Sequence, residues 1–510
     1  MAFENPSELA ERIQRIESGL PPLSVGKNKK PLRLTLGKLM ELYRVPGLSL
    51  AVIDNFDIVW AEGYGVSEAG TSNPVTGHTL FQAGSVSKAV TATGALVLVE
   101  QGQLQLDEDV NRRLKTWKVP ENEFTKEHKV TLRQILSHSA GFTVHFFPGY
   151  AVGAPLPELE QILNGQAPAN TAPVQVEFVP GTKWRYSGGG FLIAQQLMMD
   201  VTGKPFPVLM RQNVFNQIGM SQSSFEQPLS PEAAKLAASG TYWNGNVVPG
   251  KWHIYPEMAA AGLWTTPTDL AKLAIEISLS QQGRSNRILS QAIAREMLAP
   301  QSESVTEFAL GNEKHPDRMG LGFFLADKTH SGLFGHIGND AGFEAMLMMD
   351  SDTGQGVAFI SNSQFGILLG DYLVRNIAKE YGWKNYILPN RPHLGADAVL
   401  IAIAQRESIP AAFRQYHRLK DSQPLHYTPD QNTLLIFGYS LLASNQIEAA
   451  LEALKLEVQE YPDFWNAYDT LGEIYAAIGE QELSIENYEK SLELNPANRS
   501  AIENLKKLKG

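Results

Sequence analysis

Apolar and polar positions change period along the chain, and the changes mark its elements. Residues 1–20 space their apolar side chains as one amphipathic helix, and SVGKNKKP (24–31) reads as a polar linker. A helix over 36–43 leads to Pro46-Gly47. LSLAVID and IVWAEGYG are strand-like runs separated by Asn55-Phe56-Asp57, which predicts a hairpin. A long apolar helix follows over 85–101, and residues 103–300 read as helix and loop, punctuated by Gly, Pro and Asn. Strands return late. MGLGFFLAD, GLFGHIG, FEAMLMMD and GVAFISNS are short runs with turn signals such as Asp352-Thr353-Gly354 between them, and a helix over 370–381 closes the region. Early strands, central helices and late strands predict an α+β fold, with one antiparallel sheet built from both ends of the domain and a helical insertion.

The tail has a period of its own. Gly438 and Gly472 are 34 residues apart, as are Pro462 and Pro496; Ala450 aligns with Ser484 and Leu454 with Tyr488. Small residues let two helices of a hairpin approach closely, and each proline ends the second helix. The Leu471-Gly472 pair, Tyr475, Tyr488 and Pro496 resemble the tetratricopeptide pattern. Residues 499–508 read as a capping helix, and 396–420 as further helices. Two repeats do not bury a stable core alone, so their apolar faces call for a cover: the rest of this chain, a second copy, or another protein.

Composition narrows the function. The 510 residues allow two to four domains. With 43% hydrophobic and 19% charged residues, the chain has the make-up of an ordinary globular protein, and no apolar run reaches 18 residues. The N-terminal segment has no apolar core or small-residue cleavage site, so it does not read as a signal peptide; a mature form whose leader has been removed would look the same. The absence of cysteine rules out disulfides and thiolate chemistry without deciding the compartment. Net charge is −11, and 431–510 hold 13 acidic against 6 basic residues. Such a surface repels phosphate backbones, so nucleic acid is not an expected partner.

The candidate chemistry begins at Ser85-Val86-Ser87-Lys88. A serine hydroxyl needs a base within reach to act as a nucleophile. Residues i and i+3 share a helix face, so Ser85 and Lys88 meet if a helix starts here. Gly84 permits a tight entry, and a helix N-terminus favours negative charge at the serine oxygen. The following AVTATGALVLVEQG is almost uncharged, which predicts a buried helix and a lysine with depressed proton affinity. Taken alone, Ser-x-x-Lys also describes an N-cap serine with a snorkelling lysine. Two other segments add weight. PGTKWRYSGGG offers Tyr186 on a glycine-rich loop before an apolar helix, and FGHIGN offers His336 on a late strand. TLRQILSHSAG reads as a structural helix with a glycine terminator.

Ser-x-x-Lys, then Tyr-Ser-x, then His-x-Gly resembles the class C β-lactamases, D-alanyl-D-alanine carboxypeptidases and related esterases. TLRQILSHSAG, FVPGTKWRYSGGG, AAAGLWTTPTDLAKL and FGHIGNDAGF extend the likeness over roughly 30–385. The resemblance implies a β-lactamase/transpeptidase-like fold: an antiparallel sheet flanked by helices, an all-α subdomain, and the site between them. It implies an acyl-enzyme on Ser85, with Lys88 and Tyr186 sharing the proton work and the choice of base left open. It assigns His336, Gly338, Asn339, Ser187 and Gly188 to the substrate-binding side, with the Ser85 and Asn339 N–H groups as the oxyanion hole.

Two departures shift the expected substrate. Many β-lactamases carry asparagine two residues after the tyrosine, where this chain has Gly188. The strand motif is His336-Ile337-Gly338 rather than Lys-Thr-Gly. Both favour an ester, small peptide or amide over a β-lactam. The expected layout is an N-terminal helix and linker (1–29), a hydrolase domain (30–390), a helical linker (391–430) and tetratricopeptide-like repeats with a capping helix (431–510). No Gly-x-Ser-x-Gly elbow, metal motif or nucleotide loop occurs, so no cofactor is implied. The alternatives are a β-lactamase or D-alanyl-D-alanine carboxypeptidase and, in another class, an inactive recognition protein. Expected partners are a small-molecule or peptide substrate and, through 431–510, a protein partner or a second copy.

Overall fold

The structure, a computed structural model, describes residues 5–19, 34–302, 318–326, 332–383, 385–386, 395–422, 429–496 and 498–509. The linker expected at 24–31 lies outside the described residues. The chain divides into two compact units: Arg44–Tyr242 with Val247–Pro389, and Met1–Tyr43 with Trp243–Asn246 and Asn390–Gly510.

The first unit is built on an antiparallel sheet. Its early hairpin is β1 (Gly47–Asp54) and β2 (Asp57–Gly65), joined at Asn55 and Phe56, both with positive φ. Two positive-φ residues make the turn whose twist matches the strands. Phe56 fits because its N–H donates to Gly354 O at 2.9 Å and its ring lies against Gly354. β3 (Phe81–Gln82) pairs with β6 (Trp264–Thr265), and β4 (Tyr150–Ala151) with β5 (His253–Ile254). The late strands are β7 (Arg318–Met319), β8 (Phe324–Leu325), β9 (Leu333–Asp340), β10 (Phe343–Asp350) and β11 (Gln355–Ser361). Among the described residues the main sheet has seven strands in the order β2-β1-β11-β10-β9-β8-β7, so the early hairpin is zipped onto the last strand. Helices Pro267–Gln281 and Gly366–Glu380 pack on β10 and β11.

One strand differs from expectation. MGLGFFLAD is not one run but β7 and β8, broken by a turn at 320–323. Gly322, at φ +84°, sets that turn against the backbone of Lys88 and donates its N–H to Leu136 O at 2.9 Å. Contact with a helix distant in sequence overrides the local strand pattern.

The insertion between the two sets of strands is helical and includes Leu132–Leu136, Leu159–Asn164 and Gly188–Thr202. These helices share one hydrophobic core with the helix Val86–Glu100, in which every residue from Val86 to Leu98 is buried.

The second unit is helical. Helices Pro6–Ser18 and Leu36–Leu42 belong to it, and the buried Tyr43 hydroxyl donates to Asp397 at 3.0 Å. Helices Ala396–Arg406 and Ile409–Ser422 precede Thr433–Ala443, Ile447–Glu460, Trp465–Ala477, Gln481–Leu494 and Arg499–Lys509. Successive helices pack on each other at equivalent positions. Gly438 lies against Leu454, and Gly472 lies against Tyr488 so closely that a Cβ would stand 2.8 Å from the ring. Helices end two residues before Pro462 and Pro496 in turn. Among the described residues no helix is long and apolar enough to cross a membrane.

Candidate active site

Ser85 is the N-cap of the helix Val86–Glu100 and, unlike Ser87 and Ser187, is partly exposed. The first turn is tight: the N–H groups of Val86, Ser87 and Lys88 bond back three residues, to Ala83, Gly84 and Ser85, at 3.1, 2.9 and 3.0 Å. Three-residue winding eclipses side chains i and i+3. Lys88 Nζ accordingly lies 2.8 Å from Ser85 Oγ, and it also donates to Ala260 O at 2.8 Å. Lys88 is 2% exposed. Burial lowers its pKa from 10.5 to about 7, opposed by the charge of Asp340.

Tyr186 completes the group. Its ring centroid is 5.0 Å from Lys88 Nζ, and its buried hydroxyl interacts with Ser85. Burial raises the phenol pKa, with the Ser85 contact opposing, so the group is neutral at physiological pH. The other two serines are committed elsewhere. Ser87 Oγ accepts from Leu263 N at 3.0 Å, and Ser187 Oγ caps the helix Gly188–Thr202 by accepting from Gly190 N at 3.1 Å.

β9 runs alongside Ser85 with no room for side chains on the facing backbone. A Cβ on Gly338 would overlap Ala83 O and stand 2.9 Å from Ser85 N, and a Cβ on Gly84 would stand 2.5 Å from Asn339 N. Gly84 also needs its glycine for φ +49°. The Asn339 side chain is held by Glu344 at 3.1 Å. His336 sits on the same strand, beside Tyr186. It is fully buried, its Nδ1–H donates to Ile337 O at 2.6 Å, and its ring is 6.3 Å from that of Tyr186. Burial, then the Lys88 charge, pushes its pKa down to about 3, so the ring has no positive charge to offer.

The chain's match to the family model described as beta-lactamase covers residues 32–381, which include all of these groups. The chain belongs to the β-lactamase family. Its similarity to an unguisins hydrolase from Aspergillus campestris (strain IBT 28561) is 29% identity over 233 residues, 44% of this chain and 42% of that protein. The chain thus spans less than half the length of that relative. Similarity to penicillin-binding protein 4* of Bacillus subtilis (strain 168) is lower but wider, 21% over 456 residues, covering 84% and 93% of the two chains. Among solved structures, the octameric penicillin-binding protein homologue from Pyrococcus abyssi superposes with a TM-score of 0.54 at 23% identity, over 69% of this chain and 76% of that one. That likeness is one of fold: the β-lactamase-like antiparallel sheet flanked by helices, here with a C-terminal helical region. Members of the family are serine hydrolases.

Within this β-lactamase-family site, sequence reasoning missed two side chains. His138, read as part of a structural helix, sits past its end at φ +55°. Its Nδ1 accepts from Ser187 N at 3.1 Å, and its ring lies 4.3 Å from that of Tyr186. Desolvation keeps it neutral. The signal was the His138-Ser139-Ala140-Gly141 run, with no residue nearby in sequence to connect it to the tyrosine. Asp340 follows Asn339 directly. Its buried carboxylate accepts from Gly84 N at 3.2 Å and from the Tyr255 hydroxyl, which itself accepts from Ala341 N at 2.9 Å. This chain of bonds ties the end of β9 to the residue preceding Ser85.

Proposed function

We propose that the chain hydrolyses an uncharged ester, or a small peptide or amide, through an acyl-enzyme on Ser85. The observation that carries this reading is the buried Lys88 amine 2.8 Å from Ser85 Oγ, with a pKa near 7. About half of such an amine is neutral at pH 7. In that state Ser85 donates to Lys88, and the amine takes the proton as the oxygen attacks the substrate carbonyl. Tyr186, whose phenol burial keeps protonated, is the wrong group to begin as base and the right one to pass a proton to the leaving group. The N–H groups of Ser85 and Asn339 face the tetrahedral oxygen; a preorganised donor of this kind contributes about 3–4 kcal/mol. Water then attacks the acyl-enzyme by the reverse relay.

The substrate class rests on what the site lacks. A neutral, buried His336 stands in place of the strand lysine of Lys-Thr-Gly, and Gly188 has no amide side chain to meet a substrate amide. A carboxylate-bearing β-lactam therefore finds no cation on that strand. The C-terminal helices are read as tetratricopeptide-like repeats, supported by the matching Gly438–Leu454 and Gly472–Tyr488 contacts, and as the surface for a protein partner or a second copy.

The test pairs fluorophosphonate labelling with a substrate panel of p-nitrophenyl esters, a chromogenic cephalosporin and D-amino-acid peptides. The expected adduct is on Ser85, and kcat/KM for the best short ester should exceed that for the cephalosporin. An adduct on Ser87 or Ser187 would sink the assignment, and no adduct at all would favour an inactive recognition protein. A cephalosporin value above the best ester would make the chain a β-lactamase instead.

A further inference from the structure

The segment 143–148, Thr-Val-His-Phe-Phe-Pro, takes the space that a side chain at position 188 would need. A Cβ on Gly188 would meet the Phe147 ring at 2.8 Å and His145 O at 3.0 Å, and one on Gly189 would meet Thr143 O at 2.8 Å. The segment is fastened where it passes. Ser187 Oγ donates to Thr143 O at 2.7 Å, Gly189 N to Val144 O at 2.9 Å and Gly188 N to His145 O at 3.1 Å. These carbonyls satisfy the free N–H groups at the start of the helix Gly188–Thr202. The half-buried His145 side chain bonds to the backbone of Tyr186, and burial and Arg185 keep its pKa low. Val144 is held at φ +60°. That conformation is costly for a β-branched residue and persists only where surrounding contacts enforce it.

This fastening presents Phe146. Its side chain is 64% exposed, yet its ring lies 5.8 Å from that of the buried Tyr186, on the same residue that contacts Ser85. The Tyr186 ring also stacks on Phe324 at 6.4 Å. An apolar ring is thus held in water, on a strained and tied segment, beside the group that handles the reaction's proton. A substrate group covering it gains burial without ordering a loop.

We propose that Phe146 forms a hydrophobic subsite of the active site, which receives an apolar and preferably aromatic group of the substrate. The subsite replaces recognition by an amide side chain at position 188 with recognition by ring contact. It rests on the Ser85 reading for its use in turnover, but not for binding.

The test compares Phe146→Ala and Phe146→Leu with wild type on ethyl acetate, ethyl phenylacetate and benzyl acetate by pH-stat, reporting kcat/KM ratios. An aromatic pair contributes roughly 0.5–1.5 kcal/mol, so the ratio of the better phenyl ester to ethyl acetate should fall about 2- to 13-fold in Phe146→Ala, with Phe146→Leu between. Which phenyl ester responds identifies the acyl or the leaving-group side. In parallel, phenylacetamide and acetamide are titrated calorimetrically into Ser85→Ala and into Ser85→Ala/Phe146→Ala. Phenylacetamide should bind more tightly than acetamide, and the double variant should lose that preference. Ester ratios unchanged by Phe146→Ala in an active enzyme overturn the subsite, as does a phenylacetamide preference that is absent or survives the double variant. If no ester is turned over but the amide preference responds to Phe146, the subsite stands and the Ser85 reading fails.

Discussion

Replacing Gly84 by alanine tests the contact on which the proposed oxyanion hole depends. The added Cβ would stand 2.5 Å from Asn339 N, whereas ordinary contact begins near 3.4 Å, so one backbone must retreat by about 0.9 Å. The neighbours on Gly84's side are stiff. Ala83 N bonds to Leu263 O at 2.9 Å, and the helix Val86–Glu100 behind it is fully packed, so the end of β9 gives way. A hydrogen bond stretched by that much lies beyond the useful range. Loss of one oxyanion donor costs about 10²–10³ in kcat, and a misplacement near 1 Å alone costs about 10². Alanine at φ +49° adds about 1–2 kcal/mol of backbone strain. The control separates the two effects. Gly70, at φ +80° with open space around its Cβ position, should cost similar stability on mutation to alanine and leave kcat alone. The assay is burst and steady-state kinetics on a short ester, with thermal unfolding of both variants. A folded Gly84→Ala protein with kcat within threefold of wild type would refute the reasoning, as would an equal loss in Gly70→Ala.

Three further outcomes are expected. The acid limb of kcat/KM should centre near pH 7, because Lys88 works unprotonated; burial pushes the Asp340 carboxyl well up, so Asp340→Asn should lower the limb only as far as that carboxyl is ionised there. The other ionisable neighbours, His138, His336 and Tyr186, stay neutral there, so a limb that rises in Asp340→Asn contradicts the assignment. Lys88→Ala and Tyr186→Phe should each lower kcat by about 10²–10⁴, with the double variant little worse; multiplicative losses in a kinetic cycle would mean separate proton paths. Burial raises the pKa of Glu257 from 4.5 to about 8. The folded state therefore holds its proton longer than the unfolded state, and this group's stabilisation is complete below 4.5 and lost as pH rises through 8. Glu257→Gln should flatten the fall, by at most about 1.4 kcal/mol per pH unit, and denaturant melts at pH 5 and 7.5 that keep the wild-type difference would count against it.

Local pattern determined a good deal of this protein. The Ser85–Lys88 spacing is a property of one helical turn, and the turn forms where Gly84 and the apolar run after Lys88 place it. The early hairpin, the late strands and the 34-residue spacing of close helix contacts are likewise written in periods of two, three to four, and thirty-four. What the sequence left open depends on segments far apart along the chain. The proton affinity of Lys88 is set by how completely other elements exclude water from it, with Asp340 opposing from β9, 252 residues away. His138 looked like a helix ending because its partner, Tyr186, is 48 residues downstream. His336 was placed on the substrate-binding side by its strand motif, but a strand pattern does not tell how deeply its inward positions are sealed, and sealing makes this one neutral. Gly188 read as a missing asparagine. Only tertiary contact made it the place where residues 143–147 cross the helix terminus, because a glycine marks close approach without naming the segment that approaches.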